Sequence, residues 1–484
     1  LLPGGLLLTG ERTKDPTQGR FWLRDMRTGE EVMRFDGRPD VGPPQAVAAP
    51  GGRFVAVRGR AGEICVLDVH TRRCVYRLDP TEAASGLKLS ADGDVLVWYS
   101  RTPKGFEVHV RRQASGKTLL LRDMPKTERW IWIFDRQPCV SPDGCWLVLS
   151  TEEGRLRRWD LTTGKEASPL TEALQTTWEL IWSPDGRFVA AQGSASPANE
   201  INHEAVRDVR VWDVRTGARL PHLTVPNRNG GMHVHFAHDG RTMLTTDLQG
   251  VIHLWEVATG KERGRLRGHL PYEIGGLVFS ADGRMLVSGG YDSQAFVWDL
   301  TGRTPDGQWR TAKQRPEQLR SAWNVLASED ATAAYGAIWQ LAADPEGAIA
   351  LLRERLHPIG RPKPGQVARL IADLDSEKFA EREHAARELE TLGESVADEL
   401  RQTLTRKPSL EVRRRVEALL EKLDHTPTGA QLQALRAIEA LEHMGTAEAR
   451  QLLKVLADGA PGARLTQEAR RSLGRLEREP AGKP

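Results

Sequence analysis

Along the first three hundred residues apolar and polar positions alternate with a period near two, in short runs such as RFVAV at 53, EICVLDV at 63, DVRVWDV at 208, HVHFA at 233 and MLVSGG at 285. Runs this short, rich in β-branched and aromatic residues, predict strands rather than helices. Two kinds of turn punctuate them in strict alternation. One is Asp-Gly-like, with its glycine at Gly5, Gly52, Gly93, Gly144, Gly186, Gly240 and Gly283. The other follows the phrase Trp-Asp, three residues, Gly, as in VRVWDVRTG, with its acidic or substituted position at Asp25, Asp68, Arg112, Asp160, Asp213, Glu256 and Asp299. A glycine between two such runs supplies the positive φ of a tight hairpin. Each unit therefore reads as four antiparallel strands with a repeat of about forty residues, the period of a propeller blade.

The spacing between turns says where the chain is free to vary. From the first glycine to the next acidic position the gap is 16 residues in four of the seven units and 19 to 27 in the others, and from there to the following glycine it is 25 to 32. If the four strands of a unit are taken in order from the centre outward, both fixed turns fall at one end, and all length variation falls at the other. The largest insertions are AQGSASPANEINHEAVRD, 191–208, inside the fifth unit, and MPKTERWIWIFDRQ, 124–137, between the third and fourth. Loops that vary on a constant scaffold are where binding is usually built.

From 303 to 325 the sequence is polar and proline-containing and reads as a linker. Beyond it the period changes to about 3.6. Ser328 is a candidate cap for the first helix, and Asp344-Pro345 opens a second one that Pro358 stops. Gly393 reads as a left-handed terminus. Val412, Val416, Leu419, Leu420 and Leu423 share a helix face, and TGAQ at 428–431 has capping-box spacing. Short amphipathic helices with brief connections predict a helical bundle or α-solenoid over 326–484.

The Trp-Asp pairs at 159–160, 212–213 and 298–299, with Trp255-Glu256, resemble the WD-repeat β-propeller family over roughly residues 1–302. The resemblance implies about seven four-stranded blades, the first incomplete because Leu1 falls at the end of its innermost strand. It also implies that His269, Ser288, Asp292 and Trp298 of the last unit form the family's hydrogen-bonded set, which stiffens a blade by satisfying buried polar groups on one another. Other units depart from the pattern: Arg24 and Leu67 stand at Trp positions. Either residues 303–311 supply the outer strand of the last blade or sequence upstream does. AIEALEHMGTAEARQLLKVLADG, 437–459, resembles a HEAT-like repeat, and the combination is similar to large bacterial WD-repeat proteins of the planctomycete kind, in which propeller segments often follow a signalling or regulatory domain. Because the chain opens on Leu1, such an upstream domain is expected.

Composition narrows the function classes. Apolar residues make up 39% and charged residues 27%, with a net charge of +3, so neither a nucleic-acid nor a membrane role is expected from charge. LLPGGLLL at the start is too short and too broken to cross a bilayer. Four cysteines do not make a disulfide scaffold; Cys65 with Cys74 and Cys139 with Cys145 could face one another across hairpins, but buried thiols in a reducing, cytoplasmic setting are the preferred reading. No phosphate loop, zinc helix or nucleophile elbow is present, so no cofactor or metal is expected. His233 and His235 share a strand face without a third ligand, and Arg413, Arg414 and Arg415 alternate with glutamates as a solvated helix face does.

Trp130 and Trp132, in the 124–137 insertion, and His203 and Glu204, in the 191–208 insertion, are the candidate partner-binding residues, with packing of the loop as the alternative for the tryptophans. The expected function is a non-catalytic scaffold presenting variable loops to protein or peptide partners. The alternatives are the regulatory or sensor portion of a larger signalling protein, and an enzyme using the central channel, against which the apolar inner strands GLKLS, ELIWS and GGLVFS argue. Oligomeric state is left open.

Overall fold

A computed structural model describes residues 6–12, 19–25, 30–37, 46–49, 53–58, 63–71, 73–78, 84–102, 105–121, 138–151, 155–172, 174, 176–194, 207–220, 223, 225–227, 233–271, 274–280, 283–302, 310–406, 408–423, 426–427 and 429–478. Among them are seven antiparallel sheets, each a meander in chain order. The first has three strands, Leu6–Arg12, Gly19–Asp25 and Glu31–Gly37. Blade two is Ala46–Ala48, Phe54–Arg58, Ile64–Asp68 and Arg73–Leu78; blade three is Ala84–Leu89, Val95–Thr102, Gly105–Arg112 and Lys117–Leu121. Blade four is Cys139–Val140, Trp146–Ser150, Leu156–Asp160 and Lys165–Leu170; blade five is Thr176–Trp182, Phe188–Ser194, Arg207–Asp213 and Val225–Asn227. Blade six is Val234–Phe236, Thr242–Thr246, Val251–Glu256 and Glu262–Arg267. The seventh has three strands, Ile274–Phe279, Met285–Gly290 and Ala295–Asp299. Residues 1–5 and 303–309, which bear on the incomplete first blade and on the outer strand of the last, lie outside the described residues.

Contacts divide the chain into two compact units, Leu1–Gly240 with Leu244–Gln249, and Arg241–Met243 with Gly250–Pro484, a division that differs from a boundary at 302. In the first unit the innermost strands of blades two to six neighbour one another in sequence order, the radial array of a propeller. Its cores lie between consecutive sheets. Ala56, Val66, Leu87, Leu96 and Trp98 fill the space between blades two and three. Val97, Val110, Val140, Leu147 and Trp159 do so between three and four, and Val148, Leu156, Trp182, Val189 and Trp212 between four and five. The Asp-Gly turns carry a device the sequence reading did not use. A serine two residues before the aspartate donates to its carboxylate and accepts the amide five residues on, in Ser90 with Asp92 and Val95 and again in Ser183 with Asp185 and Phe188.

Two expectations about cysteines and the linker need correcting. Cys65 and Cys74 are joined as a disulfide. A register irregularity between Val66 and Leu67 brings their Cα atoms to 6.2 Å, within the span of such a bridge. Cys139 and Cys145 are free thiols, Cys139 buried, and burial pushes its thiol up to about 11. The stretch read as linker contains helix α1, Pro316–Val325, with proline in its first turn. Leu319, Ala322 and Leu326, at helical spacing among polar residues, are its buried stripe.

In the second unit α1 is followed by α2, Ala331–Ala342, and α3, Pro345–Arg355. The cap of α2 is Asp330 rather than Ser328: its carboxylate accepts the Thr332 and Ala333 amides. Asp344 caps α3 ahead of Pro345, as the sequence predicts. Then come α4, Gln366–Asp373, α5, Phe379–Leu392, a 3-10 turn at Gly393–Val396 where Gly393 has φ 58°, α6, Ala397–Thr405, α7, Leu410–Leu423, α8, Gly429–Met444, α9, Ala447–Ala457, and α10, Arg464–Arg478. Thr428 of the TGAQ box lies outside the described residues. Helices α1 to α3 and α8 to α10 share one core around Ile338, Leu352, Leu441 and Leu453. Helices α4 to α7 enclose a second around Leu374, Leu389, Leu400 and Val416.

Candidate functional site

Four side chains of the second unit meet in blade seven. His269, in the link from blade six, places Nδ1 3.0 Å from Asp292 Oδ2 and Nε2 2.8 Å from Ser288 Oγ, and the Trp298 indole donates to the same hydroxyl at 2.8 Å. Ser288 and Phe296 are cross-strand partners, and the His269 ring meets Phe296 edge-on at 4.7 Å. The set lies between the loop that enters the blade and the turn joining its second and third strands, so it fixes both. Gly250 abuts the same link: a Cβ there would come within 2.5 Å of the His269 carbonyl oxygen and 2.6 Å of that of Leu270. The residues carried on this frame point outward. Leu270 is 60% exposed and Tyr291 75%.

The other end of these blades, where the constant turns lie, is occupied by helices of the same unit. Glu256 stands at the acidic position of the Trp-Asp turn in blade six. In blades two and five that position is an aspartate capping its own turn: Asp68 accepts the His70 and Thr71 amides, and Asp213 those of Arg215 and Thr216. Glu256 is one methylene longer and turns into the interior. Its oxygens accept from Arg436 of α8, both at 2.8 Å, from Arg263 at 3.1 Å and from the Thr259 hydroxyl at 2.6 Å. Arg263 in turn grips Glu439 of α8 through two bonds, 2.7 and 2.8 Å, and Arg436 also donates to the Leu326 and Ser328 carbonyls. All four charged side chains are 2% exposed.

Beside this ladder, Arg241 reaches Glu442 of α8 at 2.8 Å and Glu468 of α10 at 2.8 Å, and Arg475 closes the group onto both carboxylates. Burial alone would raise the Glu256 and Glu442 carboxyls, but the arginines outweigh it and hold each at about 2. A shallow cleft of about 650 Å³ between the Thr301 turn and α1 and α2 is lined by neutral, mostly small side chains including Ala322, Ala333 and Gly336.

Of the other residues singled out by sequence, Trp130, Trp132, His203 and Glu204 lie outside the described residues. The His233 and His235 rings are 6.3 Å apart, and burial with the neighbouring His233 pushes His235 down to about 4. Arg413 pairs with Glu417, and Arg415 with Glu411 and Glu383, across exposed helix faces. The Glu256 ladder was missed because each member, taken alone, looks like an ordinary surface charge.

Among the described residues no helix is long and apolar enough to cross a membrane. The family "WD domain, G-beta repeat" matches residues 260–299. The WD repeat-containing protein SL1-17 of Schistosoma mansoni is 23% identical over 161 residues, 33% of this chain and 49% of that protein. Autophagy-related protein 16 of Arabidopsis thaliana is 23% identical over 229 residues, 46% of this chain and 41% of that protein. The chain thus spans about half or less of the length of these relatives. Among solved structures, the Kuenenia stuttgartiensis hydrazine synthase aligns with a TM-score of 0.41 at 16% identity, covering 61% of this chain and 92% of that one. Alternating turns, consecutive antiparallel meanders and the hydrogen-bonded set of the last blade agree with the family match at 260–299 and the WD-repeat relatives: the chain is a β-propeller that carries a WD repeat, followed by a helical C-terminal region.

Proposed function

We propose that this protein is a non-catalytic scaffold that binds protein or peptide partners through the variable-loop ends of its blades. WD-repeat proteins are in general protein-interaction scaffolds and mostly non-catalytic. The observation that supports this reading most directly is the one-sidedness of the second unit. Its constant-turn end is taken up by α8 and α10 through buried ion pairs, while its loop end presents Leu270 and Tyr291 to solvent. Exposed aromatic and aliphatic side chains on a rigid frame are the groups from which binding hot spots are built. By the same reasoning Trp130, Trp132, His203 and Glu204, on the two longest insertions, are proposed as further contacts.

Deletion of residues 192–208, or the pair Trp130→Ala and Trp132→Ala, is expected to abolish capture of the partners retained by the parent in a quantitative pull-down, with the thermal unfolding midpoint unchanged. Capture undiminished in both variants would overturn the loop-end reading.

A further inference from the structure

We infer that Leu270, Tyr291 and Arg267 form an anchor site for a protein segment that carries a bulky apolar side chain close to a carboxylate. The inference rests on the scaffold reading and specifies its partner. Three observations carry it. First, apolar exposure is concentrated here: of the ten large apolar side chains exposed among the described residues, five, Leu270, Val278, Val287, Tyr291 and Val297, belong to this one blade and its entry loop. The three valines are cross-strand neighbours on the sheet itself, so Leu270 and Tyr291 are the two on connections.

Second, the two are preorganised. Leu270 follows His269 and Tyr291 precedes Asp292, the two members of the buried pair at 3.0 Å, and the Leu270 amide faces the same carboxylate oxygen at 3.5 Å. Gly250 blocks the carbonyl side of the link. Holding an anchor in place before binding removes part of the ordering cost that association otherwise carries. Third, a cation, Arg267, stands three residues before Leu270 in the sequence, with no ion pair among the described residues. Arg265 is paired with Glu262 at 2.6 Å, whereas Arg267, at the end of the strand leading into Leu270, is exposed. A guanidinium there favours a carboxylate on the partner, through bidentate geometry and steering.

The test uses the full chain, fluorescently labelled, on an array of fifteen-residue peptides in which Leu, Phe or Trp stands two to four positions from Asp or Glu, beside matched peptides with Lys for the acid or Ser for the apolar residue. The parent is expected to prefer the apolar-acidic peptides by about tenfold, a difference of roughly one hot-spot contact. The double variant Leu270→Ser with Tyr291→Ser should lose that binding, and Arg267→Glu should shift the preference to the Lys peptides, with unfolding midpoints unchanged. Retained binding by the double variant, or no preference between acidic and Lys peptides in the parent, would overturn the anchor site. If pull-down partners are lost on deleting 192–208 while the double variant keeps them, the scaffold reading stands and this site falls.

Discussion

Arg436→Met tests the ladder between blade six and α8. The substitution keeps most of the side-chain volume but removes both bonds to Glu256 and the donors to the Leu326 and Ser328 carbonyls. Glu256 would then face only Arg263 and Thr259, and a ladder of two positive and two negative charges, each 2% exposed, would keep one uncompensated negative charge. Removing one partner of a buried ion pair costs about 3–5 kcal/mol. In a cooperative body of about 150–250 residues each kcal/mol moves the melting midpoint by roughly 2–4 °C, so a drop of about 10 °C is expected.

The double variant Glu256→Gln with Arg436→Met restores neutrality, because Arg263 and Glu439 remain a bidentate pair. It should be no less stable than Arg436→Met alone, which corresponds to a coupling of about 2 kcal/mol or more. Urea unfolding followed by tryptophan fluorescence gives the free energies, and hydrogen exchange over α8 locates the loss. The pH profile supplies a second arm. Glu256 and Glu442 are held near 2 in the folded chain against an ordinary value of 4.5, so the unfolded chain takes up protons first as pH falls. The ion-pair contribution is complete above about pH 5 and is lost between about 4.5 and 2; Arg436→Met should move the acid-unfolding midpoint upward. A single variant within 1 kcal/mol of the parent, or a double variant whose cost is the sum of its parts, would refute the reasoning.

Two further outcomes follow from neighbouring contacts. His269→Ala leaves Asp292 and Ser288 without their common partner and should cost about 2 kcal/mol, the loss of buried hydrogen bonds, with amide exchange speeding up in Met285–Gly290 and Ala295–Asp299; unchanged exchange in both strands would contradict it. Glu256→Asp restores the residue usual at this turn yet withdraws the carboxylate by one methylene from Arg436, so urea unfolding should register a loss of about 1–3 kcal/mol, whereas a neutral or stabilising result would contradict the ladder's role.

The strands and their turns were legible because each is decided locally. Alternation and a glycine at positive φ, such as Gly186 at 69°, require only neighbours in sequence. The His269 set was legible for a different reason: its members fall in one repeat at family spacing. Helix α1 was not, since Leu319, Ala322 and Leu326 form a stripe only once their partners Leu352 and Leu441 are in place, and the intervening residues are polar. The bridge between Cys65 and Cys74 depended on an irregularity of strand register that pattern alone does not reveal. Leu270 and Tyr291 were passed over because a leucine and a tyrosine in turns carry no signal until their exposure is known.

Glu256 marks where this repeat protein departs from its own repetition. At the equivalent turns Asp68, Asp160 and Asp213 give Oδ1 to local amides, and the second oxygens of Asp68 and Asp213 meet Arg53 and Arg187 of the same blade. In blade six the backbone still closes the turn, with the Gly260 amide on the Glu256 carbonyl at 2.8 Å, so the side chain is free for other work. The extra methylene carries it to Arg436, 180 residues along the chain, and the energetic weight of the turn passes from the blade to its contact with the helical region. A buried, bidentate, charge-balanced ladder is geometrically exacting. It therefore fixes the orientation of α8 on the turn end of this blade more strictly than apolar packing of the same area would.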